Sequence, residues 1–196
     1  ALALALILPA FYVAVAMYHQ EMIPTKLLMS IIQAKEDVPF STALEVLGML
    51  IAFELLQEAS LRLPDPIAGT TSIIGALIVG QSAVDAKVIS PIAVIVVALA
   101  GICGYAQPSQ DMNAALRIWR FVLVLGAVLA GLYGVTALIC FLVWRLCSME
   151  SFGVSYTAPL SGGAPGALAR TFLRKPKPKD KLREPELNTP DKRRQS

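Results

Sequence analysis

Charge is what this 196-residue chain has least of: Asp, Glu, Lys and Arg make up 16% of it, against about 25% in ordinary soluble domains. Apolar residues make up 56% and mean hydropathy is +0.63, which excludes an ordinary globular composition and points to an integral membrane protein. One histidine, His19, and three dispersed cysteines leave little basis for a zinc site. Cys140 and Cys147 would stand roughly 10 Å apart along a helix, too far for a disulfide. With Cys103, they sit in or beside apolar segments, as small buried hydrophobes do. No Gly-x-Ser-x-Gly elbow, phosphate loop or His-Glu-x-x-His helix occurs, so no enzyme, metal or cofactor is expected, and no nucleic-acid partner.

What the chain has in quantity is apolar sequence. It opens at Ala1 inside such a run and without an initiator Met, as the C-terminal part of a longer chain would. No basic segment precedes that run and Pro9 interrupts it, so Leu2–Tyr18 is expected to be a membrane helix rather than a signal peptide. Thr42–Leu63 is the second apolar stretch, helical in pattern but carrying Glu45, Glu54 and Glu58. The third is compound: Ile67–Gly80, a polar break at Gln81–Lys87, then Val88–Tyr105. Phe121–Trp144, about 24 residues with Trp119 and Trp144 at its ends, is the strongest span. Within it Gly126, Ala130 and Gly134 recur every four residues, a small-residue stripe suited to close helix packing.

Between the first two stretches, Pro24 and Pro39 bracket an amphipathic helix candidate with Leu27, Leu28, Ile31 and Ile32 on one side. After Trp144, Ser161–Gly166 is linker-like. Arg170–Ser196 then carries ten basic and four acidic residues among four prolines, a composition that stays disordered. The expected fold is therefore all-α and integral to the membrane. It has about four membrane helices, a Gly-rich short or re-entrant element, an amphipathic interfacial helix and a disordered basic tail. The helical domain covers residues 1–159 and the tail 160–196. Basic residues flank both ends of the last span, Arg117 and Arg120 before it and Arg145 after it, so charge counting leaves orientation open.

The Gly-rich element supplies the first candidate site. Ile67–Gly80 is short for a span, and Gly69, Gly75 and Gly80 punctuate it. Irregular backbone survives at membrane depth where protein covers it or water lines it. Gly69, Ile74, Gly75, Ile78 and Gly80 are therefore the pore or gate candidates, with Ile74 and Ile78 one turn apart as a hydrophobic constriction. Glu54 and Glu58 are the second candidates. A carboxylate amid Gly48–Leu56 must face protein or water, or be protonated, since its charge in lipid costs roughly 2.5–3.5 kcal/mol or more. Two readings stay open: an acidic ring on an ion pathway, or a structural ion pair with Arg62 one turn beyond Glu58. His19, Gln20 and Glu21 form a boundary polar cluster, suited to a gate contact or to capping the amphipathic helix. Asp111 and Asn113 precede Arg117 in a polar loop, where capping and local pairing suffice.

Taken in order, His19-Gln-Glu-Met-Ile-Pro24, Val38-Pro-Phe40, Phe53-Glu-Leu-Leu-Gln-Glu-Ala59, Arg62-Leu-Pro64, Ile74-Gly-Ala-Leu-Ile-Val-Gly-Gln81, Val88-Ile-Ser-Pro91, Ala115-Leu-Arg-Ile-Trp-Arg-Phe121 and Ser151-Phe-Gly-Val154 form a specific set. The set resembles the membrane region of the A subunit of GerA-type spore germination receptors, from about Pro9 to Pro159. Ser155 stands where family members often have Pro, and the soluble N-terminal domain usual in the family is not in this chain. The resemblance implies a multi-pass protein of the spore inner membrane, with its soluble ends on the core side. It implies a transporter-like B subunit that senses nutrient, a C lipoprotein, and oligomers of the A subunit that form a ligand-gated ion channel in contact with membrane lipid. The alternative is a non-conducting scaffold that relays the nutrient signal.

Overall fold

The computed structural model describes residues 1–62, 78, 80–107, 110–151 and 154–157. It divides into two units, Ala1–Leu138 and Ile139–Ser196. Gly69, Ile74, Gly75 and the basic tail lie outside the described residues.

In the first unit, helix α1 (Leu2–Tyr18) carries Pro9 in its interior and ends at His19, whose φ of −128° leaves the helical region. A 3-10 turn over Gln20–Met22 follows. Pro24, extended in backbone, then precedes helix α2 (Thr25–Lys35), because proline presets the chain for a helix start and has no N–H to leave unpaired. The next proline, Pro39, separates α2 from helix α3 (Thr42–Arg62), whose 21 residues reach about 31 Å. Residues 80–85 are helical. Helix α4 (Pro91–Tyr105) begins with a strong start signal: Ser90 as N-cap, accepting from the Ala93 N–H at 3.4 Å, and Pro91 in the first turn. That cap sets the helix start three residues later than the apolar run at Val88 suggests.

α1 packs chiefly on α4, and α3 packs on both. The core is built from Ala5, Leu6, Ala10, Val13 and Ala14 of α1, Val46, Met49 and Leu50 of α3, and Ala93, Val97 and Ala100 of α4. The α4 residues recur at helical spacing, and the alanines let the backbones approach closely. α3 and α4 also meet where the Phe53 ring lies against Gly101, close enough that a Cβ there would overlap it.

Helix α5 (Gln110–Ser148) contains a break. Ala130 (φ −138°, ψ 16°) and Gly131 (φ 59°, ψ −139°) leave the helical region, separating two arms of about 20 and 17 residues. The apolar run expected as one uninterrupted span is thus interrupted near its middle. Beyond it the chain turns back so that residues 134–138 lie against the first arm. A Cβ built on Gly134 would fall against the Gly126 carbonyl, 2.9 Å from its carbon, and one on Gly126 would meet the Leu138 side chain. In an unbroken helix, residues eight apart are separated by about 12 Å. Gly126, Ala130 and Gly134 therefore do not line one face of a continuous helix: the two glycines face each other across the break.

In the second unit, the Phe141 and Trp144 rings pack at 5.7 Å. A two-residue antiparallel ladder, β1 (Glu150–Ser151) with β2 (Val154–Ser155), follows, and the Tyr156 N–H donates to the Met149 carbonyl at 2.9 Å. Apart from this ladder the described residues form helices and turns.

Candidate functional site

Three polar constructions tie the elements of the first unit together. The first joins four helices. The last turn of α2 supplies Lys35, and the first turn of α3 supplies Thr42 and Glu45, three apart and so on one face. Lys35 Nζ lies 2.9 Å from Glu45 Oε1 and donates to Thr42 Oγ1. The Ser90 N–H donates to Glu45 Oε2 at 2.9 Å, and the buried Tyr12 hydroxyl of α1 lies beside Ser90 and Glu45. The Glu45 side chain is 0% exposed. A carboxylate so placed is tolerable only when paired and hydrogen-bonded, and it has both. It also stands at the N-terminal ends of α3 and α4, where helix dipoles favour negative charge. Lys35 borders a cavity of about 320 Å³ whose walls include Gln20, Ile23, Leu28, Ile31 and Ile32, at the small end of ligand pockets.

The second construction ties α3 to the first arm of α5. Arg117 Nη1 lies 3.2 Å from Glu54 Oε2 and 4.0 Å from Glu58 Oε2, and Arg120 Nη1 lies 3.8 Å from Glu54 Oε1. The Arg120 side chain is only 2% exposed. Gly104 of α4 makes room for it: a Cβ there would stand 3.4 Å from its guanidinium and 3.3 Å from Asn113 Oδ1. The Nε of both arginines is buried and meets no acceptor among the described residues.

The third holds the break in α5. The Tyr18 hydroxyl donates to the Val128 carbonyl, a group freed where the helix stops. The His19 and Tyr133 rings lie 6.5 Å apart. A Cβ at Gly131 would stand 3.1 Å from His19 Cε1 and 3.2 Å from Tyr18 Cβ.

The structure thus places the residues singled out from sequence in different surroundings. His19 meets the break in α5, while Gln20 donates to the Ala16 carbonyl and Glu21 is exposed in the 3-10 turn. Ile78 is 56% exposed, and Gly80 is buried with Val94 Cγ1 3.6 Å from where its Cβ would be. Glu54 and Glu58 come together with Arg117 and Arg120, neither of which was expected as their partner. The side chain of Arg62, the expected partner, lies outside the described residues.

The sequence profile of the Bacillus/Clostridium GerA spore germination protein family matches residues 1–186. The chain belongs to the GerA family. Spore germination protein KA of Bacillus subtilis (strain 168) is 41% identical over 98% of this chain and 35% of its own length. Spore germination protein GerLA of Bacillus cereus is 38% identical over 96% of this chain and 38% of its own length. A Bacillus subtilis (strain 168) protein named as the membrane protein YfkQ is 41% identical over 88% and 34%. The chain thus spans about a third of the length of the curated relatives it matches. No solved structure matches it.

The partners in two polar clusters of this GerA-family chain were not expected from sequence. Glu45 stands in the sequence as one of three acidic residues in α3, and its partners Lys35 and Thr42 are the last residue of α2 and the first of α3. Arg117 and Arg120 passed as flanking charge. A signal was present: two carboxylates one turn apart in an apolar helix require cations, and Arg117 and Arg120 are themselves one turn apart.

Proposed function

We propose that this chain is the membrane part of a spore germination receptor A subunit, a multi-pass, non-enzymatic protein of the spore inner membrane. With copies of itself, a transporter-like B subunit that senses nutrient and a C lipoprotein, it forms an ion channel whose opening releases ions and triggers germination. Family membership over residues 1–186 carries the reading. Support for the membrane comes from large apolar side chains that stand exposed on every long helix: Leu55 on α3, Ile95 and Ile102 on α4, Ile118 and Leu129 on α5. Exposed apolar area of this extent suits lipid or partner helices rather than water. Helix α5, although broken at Ala130–Gly131, is also apolar along Met112–Ser148, as a segment that enters a bilayer is.

In this proposal the pore runs along Gly69–Gly80, with Ile74 and Ile78 as the hydrophobic constriction. The test is ion flux in vesicles carrying the full-length subunit with its partners, wild type against Ile74→Ala at matched assembly. Raised basal leak in Ile74→Ala is the expected result, and unchanged leak sinks the placement of the gate.

One observation favours a second reading, a non-conducting scaffold that relays the nutrient signal. Glu54 is ion-paired to Arg117 and Arg120 rather than left to attract cations. That reading predicts no nutrient-dependent flux in either protein, and loss of assembly when Ile74 or Ile78 is made polar.

A further inference from the structure

Helix α2 has 11 residues, a length that is marginal for a helix on its own, so its stability has to come from what covers its apolar face. Leu28, Ile31, Ile32 and Lys35 recur at i, i+3, i+4 and i+7 and so share that face. No helix fills the space in front of it. The face forms one wall of the cavity of about 320 Å³, whose other walls come from Ala16 near the end of α1, Gln20 and Ile23 just beyond it, and Thr42 at the start of α3.

The walls decide what fits. A water held there needs two to four polar partners, and the side chains of Ile23, Leu28, Ile31 and Ile32 offer none. Left empty, the same walls forgo the dispersion contacts of a filled interior. An aliphatic chain meets both conditions, and the volume, that of about ten waters, admits part of one acyl chain. One end of the cavity is polar. Lys35 Nζ carries three protons, of which Glu45 Oε1 and Thr42 Oγ1 take two among the described residues. The third suits an acceptor at the head of the chain. A free carboxylate is a poor match, because Glu45 already balances the Lys35 charge and Glu36 stands in the same wall. A neutral ester carbonyl is a good one. Outside the cavity α2 exposes Leu27 and Met29, as a helix lying in a membrane interface does, which puts the cavity where glycerolipids are at hand.

We infer that this cavity is a glycerolipid site: one acyl chain lies between α1 and α2 against Ile31 and Ile32, and its ester carbonyl accepts from Lys35. The bound chain covers the face of α2 that protein leaves open, and so holds Lys35 against Glu45 at the heads of α3 and α4. The site rests on the membrane reading given above and not on the channel.

The experiment is native mass spectrometry of the full-length subunit with its partners, purified in detergent and supplied with phosphatidylethanolamine or with free oleic acid. Ile32→Trp fills the cavity from a half-exposed position, where the fold has room for the larger ring. Met29→Trp adds the same bulk to α2 outside the cavity wall. Wild type and Met29→Trp are expected to retain one phosphatidylethanolamine per subunit, and Ile32→Trp to retain it about tenfold less or weaker still. The lipid should also raise the melting temperature of wild type and leave that of Ile32→Trp unmoved. If Ile32→Trp is lost from the membrane, Ala16→Leu, which narrows the cavity from α1, replaces it with the same expected loss. No retained lipid, retention unchanged in the cavity variant, equal loss in Met29→Trp, or oleic acid held in preference to phosphatidylethanolamine overturns the site. Ion flux in vesicles is read in parallel. Retention without flux leaves the lipid site standing and removes the channel, whereas nutrient-dependent flux without retention does the reverse.

Discussion

Gly126 and Gly134 touch backbone to backbone across the break in α5, and a methyl group on Gly134 would have to occupy the position of the Gly126 carbonyl. The contact is asymmetric. A methyl on Gly126 meets instead the far end of the Leu138 side chain, which can rotate away.

That asymmetry predicts an order of costs. Gly134→Ala forces two backbones apart and is expected to destabilise the subunit by about 1–3 kcal/mol, as overpacking does. Gly126→Ala displaces one rotamer, for about 0.5–1.5 kcal/mol. Apparent melting temperatures of the purified full-length subunit in detergent compare the two. An equal or reversed order would refute the backbone contact.

Gly131 tests the break itself. Its φ of 59° would suit a left-handed residue, but its ψ of −139° lies far from the left-handed helical region, where Asn substitutes for Gly. A backbone of this kind is open almost only to glycine, at about 1–3 kcal/mol for any other residue. Any Cβ there also meets Tyr18 and His19. Gly131→Asn is therefore expected to lower the melting temperature as much as Gly131→Ala. Tolerance of Asn with loss on Ala would mean an ordinary left-handed turn and a different path for the chain.

How legible was this in sequence? The helices α1 to α3 were, because their limits are written in local chemistry, Pro24 before α2 and Pro39 before α3; the apolar run puts the start of α4 three residues early, at Val88, and hides the Ser90-Pro91 cap. Family membership was as well, since an ordered set of short motifs is far more specific than any one of them. The break in α5 was not. Gly126, Ala130 and Gly134 repeat every four residues, which is also what an unbroken helix face looks like, and Gly131 differs from them only through its dihedral angles. Nor were the ion pairs. Spacing offers Glu58 a partner on its own helix in Arg62, whose side chain lies outside the described residues, and the contact with Arg117 exists only once α3 and α5 lie together. Glu45 shows the same limit, for the serine and lysine that pay for its burial come from helices on either side of α3 in the chain.

The node around Glu45 gives the last prediction, and it turns on a difference in exposure between two partners. The Lys35 side chain is 21% exposed, whereas that of Glu45 is fully enclosed. Glu45→Gln keeps an oxygen for the Ser90 N–H and leaves an ammonium that can reach water. Lys35→Met leaves a carboxylate that cannot, which is the costly way to break a buried pair, about 3–5 kcal/mol. Lys35→Met is therefore expected to destabilise more than Glu45→Gln. The double variant should recover most of the loss, because removing both charges also removes the desolvation that the pair offsets. A double-mutant cycle on melting of the full-length subunit measures this, and neighbours in one network should couple by at least about 1 kcal/mol. Additive losses would mean that Lys35 and Glu45 stand near each other without holding α2 to α3 and α4. Coupling with the opposite asymmetry would place Glu45 in contact with water, against its enclosure between those helices.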